Sequence, residues 1–301
     1  MADFDQYWNY DYPSETYLKF ESLLAHYEVE PAHYAELLSQ LARCQSLQAK
    51  FEEAHALLDQ MAERLDATMP IAQIRYRLER GRSYNSAGQK DKAIPLFKEA
   101  ANLAKVAGED FYEVDALHML ALASDADEQM LWHNQAISLA EQSQNSRARN
   151  WLGSLYNNLG WTLFDQGNYE LALATFEKAL AFRVEQGQAE NIRIAYWCMA
   201  KTQRFLARTD KALELLYQLE SEYVAGDENS GYVYEEIAEC LLSLKHKESA
   251  SYFAKAYQSL SQDSYLKEHE PERLERLNEL SHERFEQTPA RSSRIARKVD
   301  G

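Results

Sequence analysis

Apolar residues fall at three- and four-residue spacing along most of the chain, and the arrangement of large and small ones returns about every 39 residues. The clearest copy places Tyr156, Leu159, Gly160 and Leu163 on one stretch and Ala172, Phe176 and Ala179 on the next, with Gly167 and Asn168 between them. This predicts two helices joined by a tight turn. Gly160 and Ala172 are small because the helices cross there, and Phe176 fills the gap beside them.

A second strong copy carries Gly81, Tyr84, Gly88, Ala93, Phe97 and Ala100. Weaker copies carry Leu38, Leu41, Ala42, Ala54, Leu58 and Met61; Tyr196, Met199, Ala200, Ala212, Leu216 and Leu219; and Tyr234, Ile237, Ala238, Leu241, Ala250, Ala254 and Tyr257. The small landmarks of the second helices are then Ala54, Ala93, Ala172, Ala212 and Ala250, separated by 39, 79, 40 and 38 residues. The double gap hides a damaged copy. Leu117, Leu120 and Ala121 make a good first helix, but the second, near 130–139, starts about four residues early, with Ala136 in the last packing position. Units of this kind stack on their neighbours, so the pattern predicts an all-α solenoid of antiparallel helix pairs.

The ends differ from the middle. Residues 14–24 read as a lone second helix whose Phe20 and Leu23 sit one period before Leu58 and Met61. The preceding Phe4, Tyr7, Trp8 and Tyr10 predict a truncated first helix or an aromatic plug. Residues 271–280 read as a capping helix with Leu274, Leu277 and Leu280 inward. The organisation expected is one domain over 1–286: a partial repeat at 1–31, about six repeats over 32–262 and a cap over 263–286. Residues 287–301 form a polar, basic tail.

The small residue, the aromatic and the Ala-x3-Phe spacing resemble the tetratricopeptide repeat. The resemblance covers roughly 14–285 and implies a right-handed superhelix whose first helices line the concave face. The surplus over the 34-residue minimal repeat resembles bacterial peptide-sensing regulators and kinesin light chains in repeat length alone. The whole chain also resembles a bacterial group of tetratricopeptide proteins, through Trp8-Asn-Tyr-Asp-Tyr-Pro-Ser14 and Glu270-Pro-Glu-Arg-Leu-Glu-Arg-Leu277. That group supplies no activity to carry over.

Charge sharpens this picture. The formal net charge is −16, which disfavours general binding to nucleic-acid phosphates. Cys44, Cys198 and Cys240 have no metal-ligand spacing and sit in apolar helical patterns. No run of 18 apolar residues predicts a membrane span, and the acidic N-terminus lacks a signal segment, so the location expected is cytoplasmic. The phosphate loop, dinucleotide fingerprint, His-Glu-x-x-His helix and nucleophile elbow are missing from the sequence. A non-enzymatic protein is expected, without cofactor, catalytic or metal-ligating residues.

The repeat frame then turns into a residue map. Residues three before and one after each first-helix landmark face the groove by this reading. They include Arg43, Arg82, His118, Asn157, Trp161, Trp197 and Lys201, joined by Arg75 and Arg204 on the same helices, before Glu235 and Glu239 in the last repeat. A basic, tryptophan-bearing face on an acidic chain predicts a protein or peptide partner, acidic or ending in a carboxylate. The alternatives are a structural adaptor or self-associating scaffold, or a peptide-sensing regulator. The groove is also open to being structural surface, or to an internal plug supplied by the N-terminal aromatics or the basic tail.

Overall fold

The computed structural model describes residues 4–282, except 227 and 229 and the side chain of Asp127. The basic tail and the last residues of the expected cap, 283–301, lie outside the described residues. The described residues fall into two compact units, one through Glu185 and one from Gln186.

The first unit opens with a 3-10 turn at Phe4–Tyr7 and helix α1 (Pro13–Leu23), then runs through helix pairs. These are α2 (Pro31–Leu47) with α3 (Phe51–Ala62), α4 (Pro70–Ser86) with α5 (Lys90–Ala107), and α6 (Asp110–Ala123) with α7 (Ala126–Gln142). A single turn, α8 (Ser146–Arg149), precedes α9 (Leu152–Asp165) and α10 (Tyr169–Gln186). The second unit holds α11 (Ala189–Phe205) with α12 (Thr209–Ala225), α13 (Gly231–Ser243) with α14 (Ser249–Leu260), and the closing helices α15 (Ser264–His269) and α16 (Pro271–Ser281). Proline opens α1, α2, α4 and α16, where its missing N–H is no loss and its fixed φ suits the first turn.

Five pairs turn on one residue in the left-handed region: Ala49, Gly88, Gly167, Ala207 and Lys245. At each, two backbone N–H groups reach back to the last carbonyls of the preceding helix, as in Asn168 N to Leu163 O (2.9 Å) and Gly167 N to Phe164 O (2.9 Å). This closes the helix without leaving its final carbonyls unpaired. The damaged repeat lacks the device. Ser124 is extended there, and the Asp125 side chain caps α7 by accepting from Glu128 N at 3.2 Å.

The core follows a 0, +4, +7 frame on the second helices. Ala54, Leu58 and Met61; Ala93, Phe97 and Ala100; Ala172, Phe176 and Ala179; and Ala212, Leu216 and Leu219 are all fully or almost fully buried. A Cβ on Gly81 would lie 2.5 Å from the Phe97 ring, and one on Gly160 would collide with Phe176, which is why both crossings need glycine. Two readings of the frame change. In α14 the buried set is Ser249, Phe253 and Ala256, one residue ahead of the expected Ala250, Ala254 and Tyr257. The 0, +4, +7 spacing then holds, with Phe253 in the aromatic slot and a step of 249 − 212 = 37 residues. In α7 the slot of Phe97 and Phe176 belongs to His133, 1% exposed, with Ala136 in the last packing position as the spacing predicted.

Cys44, Cys198 and Cys240 are buried. Among the described residues no group of side chains is placed to hold a metal ion, and no helix is long and apolar enough to cross a membrane.

Candidate functional site

In the first unit, α2, α4 and α6 line a cavity of about 250 Å³. Arg75, Glu79 and Arg82 share one face of α4 through their four- and three-residue spacing. The repeat then copies the stripe onto α2, because Gln40 stands 79 − 40 = 39 residues before Glu79 and Arg43 stands 82 − 43 = 39 before Arg82. From α6 come Tyr112 and Asp115. Three of the residues predicted to face the groove, Arg43, Arg75 and Arg82, therefore meet in one place.

Their charges are unevenly matched. Arg82, 8% exposed, donates to Glu79 Oε1 at 2.7 Å and pairs with Asp115. Arg43 is more open and reaches only Glu79 Oε2, at 3.9 Å. Burial, followed by repulsion from Arg82, pushes the Arg43 pKa down. Arg75, also 8% exposed, donates to Ser39 Oγ (2.8 Å) and Tyr112 OH (3.4 Å), and although burial opposes it, Tyr112, Glu79 and Asp5 raise its pKa. Among the described residues no carboxylate lies within ion-pair distance of Arg75. A buried guanidinium satisfied only by hydroxyls retains most of its attraction for an anion.

The N-terminal segment passes over this cavity. Trp8 and Tyr10 line it, stacked on each other at 4.7 Å, and Trp8 Nε1 donates to Gln40 Oε1 at 2.7 Å. Asp5 lines it as well and pairs with Arg147 of α8. Of the two forms considered from sequence, truncated helix or plug, the segment combines a 3-10 turn with a cover over the pocket.

The other predicted residues lie elsewhere. His118 departs from a groove-facing role: it is buried against Trp151 at 5.1 Å, and burial, opposed by Asp115 and reinforced by Arg82, lowers its pKa to about 4. Asn157 and Trp161 are half-buried on α9, where the Trp161 ring meets Phe164 (5.2 Å) and Phe176 (5.3 Å). In the second unit, Trp197 Nε1 donates to the Tyr232 carbonyl at 3.1 Å, and the Lys201 ammonium sits 5.0 Å from the Trp197 ring. Lys201 and Arg204 both hold Glu236, at 3.1 and 2.7 Å. Glu235 and Glu239 pair with Arg273 and Arg276 of α16, each at 2.5 Å. Lys201 and Arg204, the cations of this second basic set, are thus both ion-paired, sharing the one carboxylate of Glu236.

The groove map from sequence missed Glu79, Asp115, Glu236 and Trp151, whereas Trp8 stood among the aromatics read as a truncated helix or plug. A signal for two of them existed. Glu79 and Glu236 each stand two residues before a first-helix landmark, Gly81 and Ala238, where Gln40 and Cys198 are buried as well. An acid at that position holds the cations at and beyond the landmark of its own or the preceding helix. Asp5 carried no such signal, because its placement depends on the first unit bringing residue 5 beside residue 147.

Residues 151–221 match the family model described as a tetratricopeptide repeat. No curated protein matches the chain. Among solved structures, BtubC (BKLC) from P. vanneervenii is 17% identical with a TM-score of 0.59, covering 76% of this chain and 94% of that one. A tetratricopeptide repeat protein from Parabacteroides merdae is 19% identical with a TM-score of 0.54, covering 91% and 96%. NprR, solved in complex with its cognate peptide NprX, is 14% identical with a TM-score of 0.52, covering 90% and 83%. At these identities the likeness is one of fold. Residues 151–221 thus carry a tetratricopeptide repeat, and the helix-pair frame with its glycine–phenylalanine crossings gives the rest of the described chain the fold of such solenoids.

Proposed function

We propose that the protein is a non-enzymatic peptide- or protein-binding module whose recognition centre is the Arg43–Arg75–Arg82 pocket of the first unit. Arg75 is the observation that carries this reading: a buried cation facing a cavity with only hydroxyl partners. A ligand carboxylate would give Arg75 a direct ion pair, where the acids of the protein act on it only from a distance, and Arg43 lies beside it with only a long contact to Glu79. Noncovalent capture of an acidic segment follows, and no cofactor is required. NprR, of similar fold, was solved with a bound peptide, which supports the class of ligand.

The test is binding of labelled acidic peptides, with free and amidated C-termini, to the native chain and to Arg43→Gln. Losing one charge-assisted contact is worth about 1.5–3 kcal/mol, so affinity falls by about tenfold or more. Helicity by circular dichroism stays native. Equal affinity for the two proteins rejects the assignment. A scaffold role is the second reading, and the ion-paired Lys201–Arg204–Glu236 cluster favours it for the second unit.

A further inference from the structure

The segment lying over the pocket has the chemistry expected of the pocket's ligand. Residues 4–12 contain two aspartates, five aromatic residues and no lysine or arginine. Phe4 is the one buried side chain of the turn, set edge-on against Tyr27 at 5.4 Å. Beyond it the segment is open: Asp5 is exposed and Tyr10 is 64% exposed. It is held by the Trp8–Gln40 hydrogen bond, the Asp5–Arg147 pair, the edge-on contact of Trp8 with Phe20, and the Asn9–Thr16 bonds of 2.9 and 3.2 Å. Apart from the buried Phe4, so few buried contacts place the segment among the parts of a fold that open most easily.

The match goes further than composition. Asp5 and Trp8 both line the cavity beside Arg43, Arg75 and Arg82, and the negative charge of Asp5 is felt at Arg75. Tyr10, stacked on Trp8, feels the charges of Arg43 and Arg82. A carboxylate and an aromatic ring three residues apart thus bracket the basic pocket and Gln40.

Building on the peptide-binding reading, we infer that residues 4–12 are a built-in occupant of this pocket, displaced by the ligand. The ligand is an acidic peptide segment carrying an aromatic residue three positions after a carboxylate, in the places of Asp5 and Trp8. Occupancy by the chain's own segment lowers apparent affinity by the fraction of molecules in which the pocket is open, and it sets a minimum strength for any incoming segment.

The probe is a labelled synthetic peptide with the sequence of residues 2–13. It is titrated by fluorescence anisotropy into the full native chain, into the full-length Asp5→Asn, Trp8→Ala double variant, and into that variant with Arg43→Gln added. These substitutions lie in the segment and at the pocket edge, outside the helical core, and circular dichroism confirms retained helicity. Affinity for the double variant is expected to exceed that for the native chain by about tenfold, as for a pocket open about a tenth of the time. Adding Arg43→Gln removes most of the gain. Equal affinity for native and double-variant chains, no binding to either, or a gain indifferent to Arg43→Gln overturns the inference. The acidic panel described above separates the two readings. If its members bind through Arg43 with the same affinity in native and double-variant chains, only the built-in occupant is lost. If they ignore Arg43 in both, the peptide-binding reading falls with it.

Discussion

His133 occupies a packing slot that Phe97 and Phe176 fill in the well-formed repeats of the same unit. It accepts or donates one hydrogen bond, with Thr162 at 3.2 Å, while its Nδ1 has no partner among the described residues. His118 lies buried on the partner helix of the same repeat, and its Nδ1 is likewise without one. Burial holds both imidazoles neutral, with pKa values lowered from 6.5 to about 4. The sign of the pH dependence follows. Between about pH 6.5 and about pH 4 the unfolded chain takes up these protons and the folded chain does not, so acid removes stability. Each shift corresponds to about 3 kcal/mol across that window. Leu58 and Leu216 fill the same slot in repeats whose first-helix landmark is alanine, Ala42 and Ala200, as Ala121 is here. His133→Leu is therefore expected to raise the urea midpoint and to make its fall between about pH 7 and about pH 4.5 shallower, since one histidine with a lowered pKa is removed while His118 and His55 remain. A fall as steep as in the native chain would show that His133 does not titrate on unfolding. The sequence read this repeat as damaged, with Ala136 in the last packing position, and the 0, +4, +7 frame then sets His133 in the aromatic slot. Only the four-residue shift at the start of α7 brings position 133 there.

At the scale of the helix and its turn, the left-handed residues recur in step with the repeats, at 49, 88, 167, 207 and 245. Glycine takes two of these positions. Ala49, Ala207 and Lys245 hold the same conformation against the steric preference of an L side chain. Ala207→Gly relieves that preference, and part of the gain is offset by the greater freedom of glycine in the unfolded chain. A net stabilisation of about 0.5–1 kcal/mol is expected, read from urea unfolding. A loss of stability would contradict the turn geometry at this position. Gly167 and Gly88 made the turn legible in the two strong copies, because glycine advertises a positive φ. Ala207 and Lys245 carry no such mark, because neither residue type favours a positive φ. The frame of small residues slipped by one in α14, where the sequence offers Ala250 and Ala254 beside Ser249 and Phe253. Which set faces inward depends on how α13 meets α14, and burial of Phe253 decides it.

At the scale of the whole chain, a net charge of −16 repels an acidic peptide, while on the proposed reading the buried Arg75 and its neighbours attract one locally. Salt weakens the long-range repulsion and leaves the desolvated contact largely unscreened. Affinity for an acidic peptide is therefore expected to stay within about threefold, or to rise, between about 0.05 and about 0.5 M salt. A steep fall over that range, as for phosphate-backbone binders, would mean that exposed cations carry the recognition. Here the legible and the illegible part along a physical line. Local periodicity alone determined that the chain is all-α, where its helix pairs turn, and which small and aromatic residues pack, because those follow from 3.6-residue spacing and side-chain volume. It also brought Arg43, Arg75 and Arg82 onto one face. Tertiary structure decided which of those cations remain available. Glu79 and Asp115 take up Arg82, Glu236 takes up Lys201 and Arg204, and Arg75 is left with hydroxyls, with Asp5 and Trp8 laid across the cavity beside it. Charge neutralisation acts between residues brought together from different repeats, at distances that no spacing within one helix specifies.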